Sequence, residues 1–478
     1  MKVAIFSPYR TVSPHFETEL EIAQRHLDEG DSVQFINCTG ELGGCDFNST
    51  SDPDACASCA GRRTSGLFML QPEPGCTGFD HDEFEPPEFD SVAELIAYQI
   101  DNFDLGYAAL SSLVSIIRDP EPDLHRHRDM LRMFLVAGHR AYISTLNYIE
   151  KHQPDRIYVF NGRFAAMRGV LRACERMQVD CFLHERGCDS QHYEVLKNHL
   201  PHDIPAIEAA IRRSWDSADP TKRQQIGESW FEDRIERVER NWKSFVKEQT
   251  AGHLPEQWDH SVRNISIFCS SDDEFVAIGD CWTNHLYENQ VVAVRRLADS
   301  LATVAPGTQL FLRVHPNLKD ADNARLRAML DLAGPNLVVV PPESPVDTYA
   351  MVRASDVVVS FGSSVGIEAT FRDKPSVLLG PCFYRNLGGT YVPASHEEAV
   401  SLLQQNLAPL AKDGAVMYGH WLQTRGRPHH YYEASSLFEG KFRGELIYDR
   451  SHEKPRPTTL AGKLAREGGR IWSRLTSG

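Results

Sequence analysis

The chain has 478 residues, of which 41% are hydrophobic and 24% charged, and a formal net charge of −16. That composition excludes a disordered or fibrous chain, and the length calls for two domains of ~200 residues. The acidic balance argues against a protein that coats itself with nucleic acid, which needs clustered Lys and Arg.

No apolar run reaches the ~18 residues of a membrane-spanning helix. The opening MKVAIFSPYR is too short and too polar for a secretory signal, so a cytoplasmic protein is expected. Val3 to Ser7 reads as a strand ending at Pro8, residues 16–29 carry helical spacing, and Ser32 to Asn37 is a second strand. Strand, helix and strand at this length predict a parallel βαβ unit. A loop of nearly fifty residues follows, rich in Cys, Gly, Asp, Pro and Ser; loops that long are functional or tied down by something. Helical patterns run from about Ser91 to His152. Strands are predicted at Arg156 to Phe160 and Asp180 to Leu183, with the helix Ala165–Met177 between them. Residues 205–248 are charged and helical in pattern and form a connector, with the domain boundary near 250–262.

The second half repeats this grammar, with strands at Ser266 to Cys269, Gln309 to Val314, Leu337 to Val340, Asp356 to Ser360 and Ser376 to Leu379. The fold class expected is α/β, with two Rossmann-like domains of parallel sheets facing across a cleft; ligands in such sheets sit beyond the carboxyl ends of the strands. The first domain is assigned residues 1–255, the second 256–450, and a basic tail 451–478.

The run FLRVHPN at 311–317 ends a strand in Arg313, His315 and Asn317, groups that can donate to a phosphate or a leaving-group oxygen, or merely cap the strand. In the segment 355–380, a strand gives way to Ser360-Phe361-Gly362-Ser363-Ser364-Val365-Gly366 and a helix. Small residues and two hydroxyls there make a phosphate cradle, although no Lys follows as in a Walker motif. Glu368, in the first helical turn, can accept from ribose hydroxyls or offset the helix dipole. After Cys269 come Ser270, Ser271, Asp272, Asp273 and Glu274. Asp273 and Glu274 are read as catalytic carboxylates, against the alternative of a helix cap.

FLRVHPN, then SPVDTYAMVRASDVVVSFGSSVGIEATFRDKPSVLLG, then Phe383-Tyr384, resembles the capsule polysaccharide biosynthesis protein family, which includes bacterial Kdo transferases and is distantly similar to bacterial sialyltransferases. The resemblance covers roughly residues 265–392. It implies a GT-B glycosyltransferase, two Rossmann-like domains of which the C-terminal one holds a nucleotide-sugar donor, usually without a catalytic metal, and it favours a CMP-linked acidic sugar. By the same resemblance His315, Ser363 and Ser364 would contact the donor phosphate, Glu368 would lie near the nucleotide, and a base would come from the N-terminal domain. His184 and Glu185 are the candidates for that base, and Arg163 or Arg186 for binding an anionic acceptor. A retaining enzyme needs no such base. A nucleotide-sugar 2-epimerase of similar fold and a silent nucleotide-sugar-binding scaffold are the competing readings.

Cys38, Cys45, Cys56 and Cys59 share the long loop, spaced C-x6-C-x10-C-x2-C. Four thiolates can close a structural zinc site that orders the loop. An iron–sulfur cluster uses the same ligands and is less favoured, and unpaired thiols are the plain alternative. Cys174, Cys181, Cys188, Cys269, Cys281 and Cys382 read as core or near-core residues without ligand spacing. The tail from Lys454 carries six Lys or Arg and one Glu interleaved with Leu, Ile and Trp, the pattern of a weak interfacial helix that could touch anionic lipid, or of a frayed terminus.

Overall fold

The computed structural model describes residues 1–9, 13–80, 83–240 and 246–447. The basic tail lies outside the described residues, and among them no helix is long and apolar enough to cross a membrane. The first domain is built on β1 (Lys2–Ser7), β2 (Ser32–Asn37), β3 (Gly75–Thr77), β4 (Arg156–Phe160), β5 (Asp180–Arg186) and β6 (His192–Lys197). Strands β1 to β5 are parallel in the order 3-2-1-4-5, and β6 folds back antiparallel on β5. The second domain has β7 (Asn264–Phe268), β8 (Gln309–Arg313), β9 (Leu337–Val340), β10 (Val357–Ser360) and β11 (Ser376–Leu378), all parallel. Their spatial order is again 3-2-1-4-5 when counted from β7.

Both sheets are covered by helices on their two faces, so their strands read as near-continuous apolar runs. In the first domain Phe6, Ile157, Val159 and Leu183 pack against Met167, Val170 and Leu171 of the helix Ala165–Met177. Val3, Ile5 and Phe35 face Phe16, Leu20 and Ala23 of the helix His15–Asp28 on the other side.

Two features depart from the sequence reading. The long loop contains the helix Pro53–Phe68, started by Asp52, whose side chain accepts from the Asp54 N–H, with proline in the first turn. Residues 427–447, expected in the second domain, complete the first. A two-residue strand β12 (Arg427–Pro428) pairs with β6, and Tyr432, Phe442 and Ile447 join the apolar layer over β1 and β2.

The return passes through the helix Asp413–Thr424, which lies on the connector helix Arg223–Ile235. Their backbones approach so closely that a Cβ on Gly419 would stand 2.3 Å from the Gly227 carbonyl oxygen. Glycine at both positions permits this crossing.

Candidate functional site

The carboxyl ends of the two sheets face one another, and the polar residues that follow the strands collect there. At the centre is Arg163, placed by the turn after β4, where Asn161 and Gly162 take positive φ. It is 1% exposed. One terminal nitrogen donates to the Glu274 carbonyl oxygen of the second domain at 2.8 Å, and the other donates to Ser115 Oγ. Burial pushes its pKa down to about 10, against the pull of Glu274, Asp273, Asp46 and Glu185. Arg163 is therefore the electrostatic hub between domains, and its terminal donors are already engaged rather than offered to an acceptor anion.

The acids after β7 form the other half of the junction. Asp273 accepts from Arg118 Nε at 2.9 Å and from Ser271 Oγ at 2.5 Å, while Asp272 faces Arg325 at 3.2 Å. Glu274 Oε1 accepts from Asn317 Nδ2 at 2.5 Å. Burial first, and then the neighbouring Asp273, raises the Glu274 carboxyl to about 8 despite Arg118, Arg163 and Asn317. Asp273, Glu274 and Asn317 thus meet across from Arg163 as one cluster.

His315 reaches the same cluster. Its Nδ1 accepts from the Asn317 N–H at 3.2 Å, which assigns the proton of the neutral ring to Nε2. Burial lowers its pKa to about 4, with Arg118, Arg313 and Arg234 acting in the same direction and Asp273 opposing them. The ring is a neutral donor at physiological pH. Arg313 turns away: it is buried and donates to the Pro341 and Ser344 carbonyl oxygens at 2.5 and 3.2 Å, so it shapes the loop after β9.

Ser363 and Ser364 follow β10 in a loop closed by Tyr384, whose hydroxyl donates to the Ser363 carbonyl oxygen at 2.5 Å. Gly362 has φ +109°, and a Cβ there would meet the Pro381 carbonyl oxygen at 2.6 Å, so only glycine allows this turn. Glu368 is buried and held internally. It accepts from Tyr349 Oη at 2.7 Å and Ser364 Oγ at 2.8 Å, with Arg234 of the connector 3.7 Å away.

In the first domain, His184 is wholly buried, 3.6 Å from Glu19, with no hydrogen-bond partner for either ring nitrogen among the described residues. It does not reach the cleft surface as an acceptor base must. Glu185 accepts from Asn161 Nδ2 at 2.8 Å and from the Arg186 N–H at 3.0 Å, and burial raises its pKa. Arg186 donates to the carbonyl oxygens of Leu437 and Ser13 at 3.1 and 2.9 Å, tying the returning segment to the end of β1.

Several residues here have no signal in the sequence reading. Arg118 is the left-handed cap of the helix Leu105–Ile117, and Arg234 sits in a helix whose charges look like ordinary surface. His15 follows β1, lies tilted against Phe160 with ring centres 4.0 Å apart, and is held well below the usual imidazole range by burial, Arg186 and His184. The strand end after β1 is the cue that could have found it.

The cysteine loop also belongs to the site. Asp46 accepts from Tyr9 Oη, its carboxyl is raised by burial, and it feels both Ser112 and Arg163. Cys38 and Cys45 pack against the layer over β1 and β4, and the Cys56 thiol accepts from Asn48 Nδ2 at 3.3 Å. Burial raises the Cys38 and Cys45 thiols, and the nearby Cys59 adds to both shifts. The side-chain groups whose ligand atoms already converge, among the described residues, do not include these four thiols. A separate cavity of about 530 Å³ opens at the domain junction, walled by Tyr107, Arg168, Arg172, His202 and Asp280.

The Glu274 carboxyl gives a pH signature. Its ordinary pKa of 4.5 is raised to about 8, so between those values the native state keeps a proton the unfolded chain has lost, and stability falls as pH rises. Asp272, raised from 3.8 to about 6, acts in the same direction at lower pH, whereas the unfolded imidazole of His315, lowered from 6.5 to about 4 in the fold, still titrates around pH 6.5 and acts in the opposite direction. The Glu274 share is therefore read as a difference: the urea midpoint of Glu274→Gln minus that of wild type is expected to rise with pH between 6.5 and 8. A difference that stays constant over that range would remove Glu274 as its source.

Two Rossmann-like domains whose strand ends face each other define the GT-B arrangement. No protein-family model matches the chain, and no curated protein matches it. Solved structures similar to it include the KpsC β-Kdo 2,4 transferase of Thermosulfurimonas dismutans, at 10% identity over 56% of this chain and 80% of that one, TM-score 0.36. They also include a UDP-GlcNAc 2-epimerase from Neisseria meningitidis bound to UDP-GlcNAc, at 12% identity over 88% and 97%, TM-score 0.30. A third is the glycosyltransferase SnogD from Streptomyces nogalater, at 12% identity over 88% and 94%, TM-score 0.23. At these scores the likenesses carry no argument about activity.

Proposed function

We propose that the chain is a glycosyltransferase that moves a sugar from a nucleotide-sugar donor to a glycan or lipid-linked glycan acceptor in bacterial surface-polysaccharide assembly. The observation that supports it best is the neutral His315, with its ring proton on Nε2, joined through Asn317 to the Glu274 carboxyl. The resemblance of residues 265–392 to capsule polysaccharide enzymes adds the donor class, with a CMP-linked acidic sugar favoured on that ground alone.

In this reading His315 Nε2–H and the Ser363 hydroxyl donate to the donor phosphate, and the Ser364 hydroxyl does so once it turns from Glu368. The bond from the anomeric carbon to the phosphate oxygen breaks, and its electron pair leaves with the nucleotide, stabilised by those donors. An acceptor hydroxyl oxygen forms the new bond to that carbon and gives its proton to ionised Glu274, whose pKa near neutrality suits a general base. Arg118 holds the Asp273 carboxylate and Arg163 the Glu274 backbone carbonyl. For the cysteine loop, structural zinc on Cys38, Cys45, Cys56 and Cys59 is part of the proposal and requires the thiols to draw together.

The test is to incubate the enzyme with nucleotide sugars, with and without glycan acceptors. Nucleotide release that depends on acceptor, with a product one sugar longer, is the expected result. Conversion of the donor to its 2-epimer without acceptor would replace this reading by an epimerase. Binding without any turnover would leave a scaffold.

A further inference from the structure

We propose that Cys188, Asp189 and His192 form a binding site for a divalent transition metal of the zinc type, in the turn that joins β5 to β6. One ligand atom from each residue lies within 4.8 Å of the other two. Asp189 Oδ1 and His192 Nδ1 are 2.6 Å apart. Metal bonds of ~2.0–2.3 Å to such ligands place them roughly 3.3–3.8 Å from one another, so the hydrogen-bonded Asp189–His192 pair opens slightly to admit the ion and the thiol lies within reach of it. Thiolate, imidazole and carboxylate together suit zinc or cobalt and not magnesium or calcium, which prefer all-oxygen shells. Three protein ligands leave a fourth position for water or another donor.

The turn is built to hold these groups. Gly187 N–H donates to the His192 carbonyl oxygen at 2.8 Å, His192 N–H to the Asp189 carbonyl oxygen at 3.2 Å, and Gln191 N–H to Asp189 Oδ1 at 2.8 Å. A Cβ on Gly187 would stand 2.7 Å from that of His192, so the hairpin is closed as tightly as its backbone permits. Cys188 is 6% exposed, with its thiol directed into this enclosed turn rather than into either domain's apolar core clusters. A thiolate and a carboxylate bring two negative charges to a doubly positive ion. The nearby cations do not oppose it unpaired: Arg425 is bound to Glu194 at 2.9 Å and Arg240 to Asp233 at 2.5 Å. The second converging group, His26, Glu29 and Asp31, differs in that Asp31 already binds the Met1 amino group.

The turn also grips the segment that returns from the second domain. Cys188 N–H donates to the Arg425 carbonyl oxygen at 3.0 Å, and His429 N–H to that of Gln191 at 2.8 Å. A metal here pins the point where the chain crosses between the domains. It is independent of the sugar-transfer reading, because none of its ligands belongs to that chemistry.

The experiment uses the full chain, stripped with a chelator and titrated with Co²⁺ and then Zn²⁺, with metal content measured by elemental analysis. Wild type is expected to show a thiolate-to-cobalt charge-transfer band and one metal equivalent that Cys188→Ser and His192→Ala lose. A double variant Cys56→Ser, Cys59→Ser should retain that equivalent. Asp189→Asn keeps the acceptor for Gln191 N–H and should bind the metal more weakly than wild type. The proposal is overturned if folded Cys188→Ser and His192→Ala keep wild-type stoichiometry and cobalt spectrum, if Asp189→Asn binds as tightly as wild type, or if wild type takes up no metal.

Discussion

Arg163→Ala is expected to destabilise the protein by about 3–5 kcal/mol, the usual cost of leaving buried charges without their partner. Arg163 is 1% exposed, stacks over Phe164 at 4.7 Å, and is surrounded by the carboxyl groups of Asp46, Glu185, Asp273 and Glu274. Its removal also leaves the Glu274 carbonyl oxygen and Ser115 Oγ without the donors that now join the two domains. Arg163→Lys keeps the charge but not the forked geometry, so it should be less damaging and still clearly weaker than wild type. Urea unfolding read by tryptophan fluorescence measures both. An alanine variant within about 1 kcal/mol of wild type would contradict the hub assignment.

His315→Ala is expected to lower turnover about 10²- to 10³-fold, as removal of one preorganised donor to a departing anion does elsewhere. The ring is neutral because burial and three arginines disfavour its charged form, and Asn317 fixes its tautomer. Its loss removes the Nε2–H donor while leaving the apolar layers of the second domain, to which His315 does not belong, intact. Turnover and nucleotide affinity should therefore fall together with little change in melting temperature. Loss of turnover with nucleotide affinity unchanged would move the role of His315 away from the donor phosphate.

The architecture was legible where burial dictates residue type. Ser32–Asn37, Arg156–Phe160 and Leu337–Val340 stand at the predicted bounds because parallel strands covered on both faces carry runs of β-branched and aromatic residues such as Val33, Phe35, Ile36, Ile157, Tyr158 and Val159. The strand His192–Lys197 escaped because HYEVLK is mostly polar and half-exposed at a sheet edge, and the helix Pro53–Phe68 because its small and charged residues carry little apolar periodicity. The site was legible as strand ends but not as partnerships. FLRVHPN and the acids after Cys269 do converge, through Asn317 and Glu274. Which way a long side chain turns is set by distant segments: Arg313 goes to the loop after β9, and Arg186 to Leu437, some 250 residues on. Arg118 and Arg234 gain their meaning only from Asp273 and Glu368, more than a hundred residues away in each case.

The central claim is that the second domain holds the nucleotide of a sugar donor at His315, Ser363 and Ser364. A thermal-shift panel of CMP, CDP, UDP, GDP and their sugars, run on wild type and on His315→Ala, tests it most directly. A ligand that binds only the native state raises the melting temperature by mass action. The account predicts that one nucleotide and its sugar stabilise wild type and fail to stabilise the folded variant. No shift from any of them in folded wild type, or an equal shift in both proteins, would contradict it.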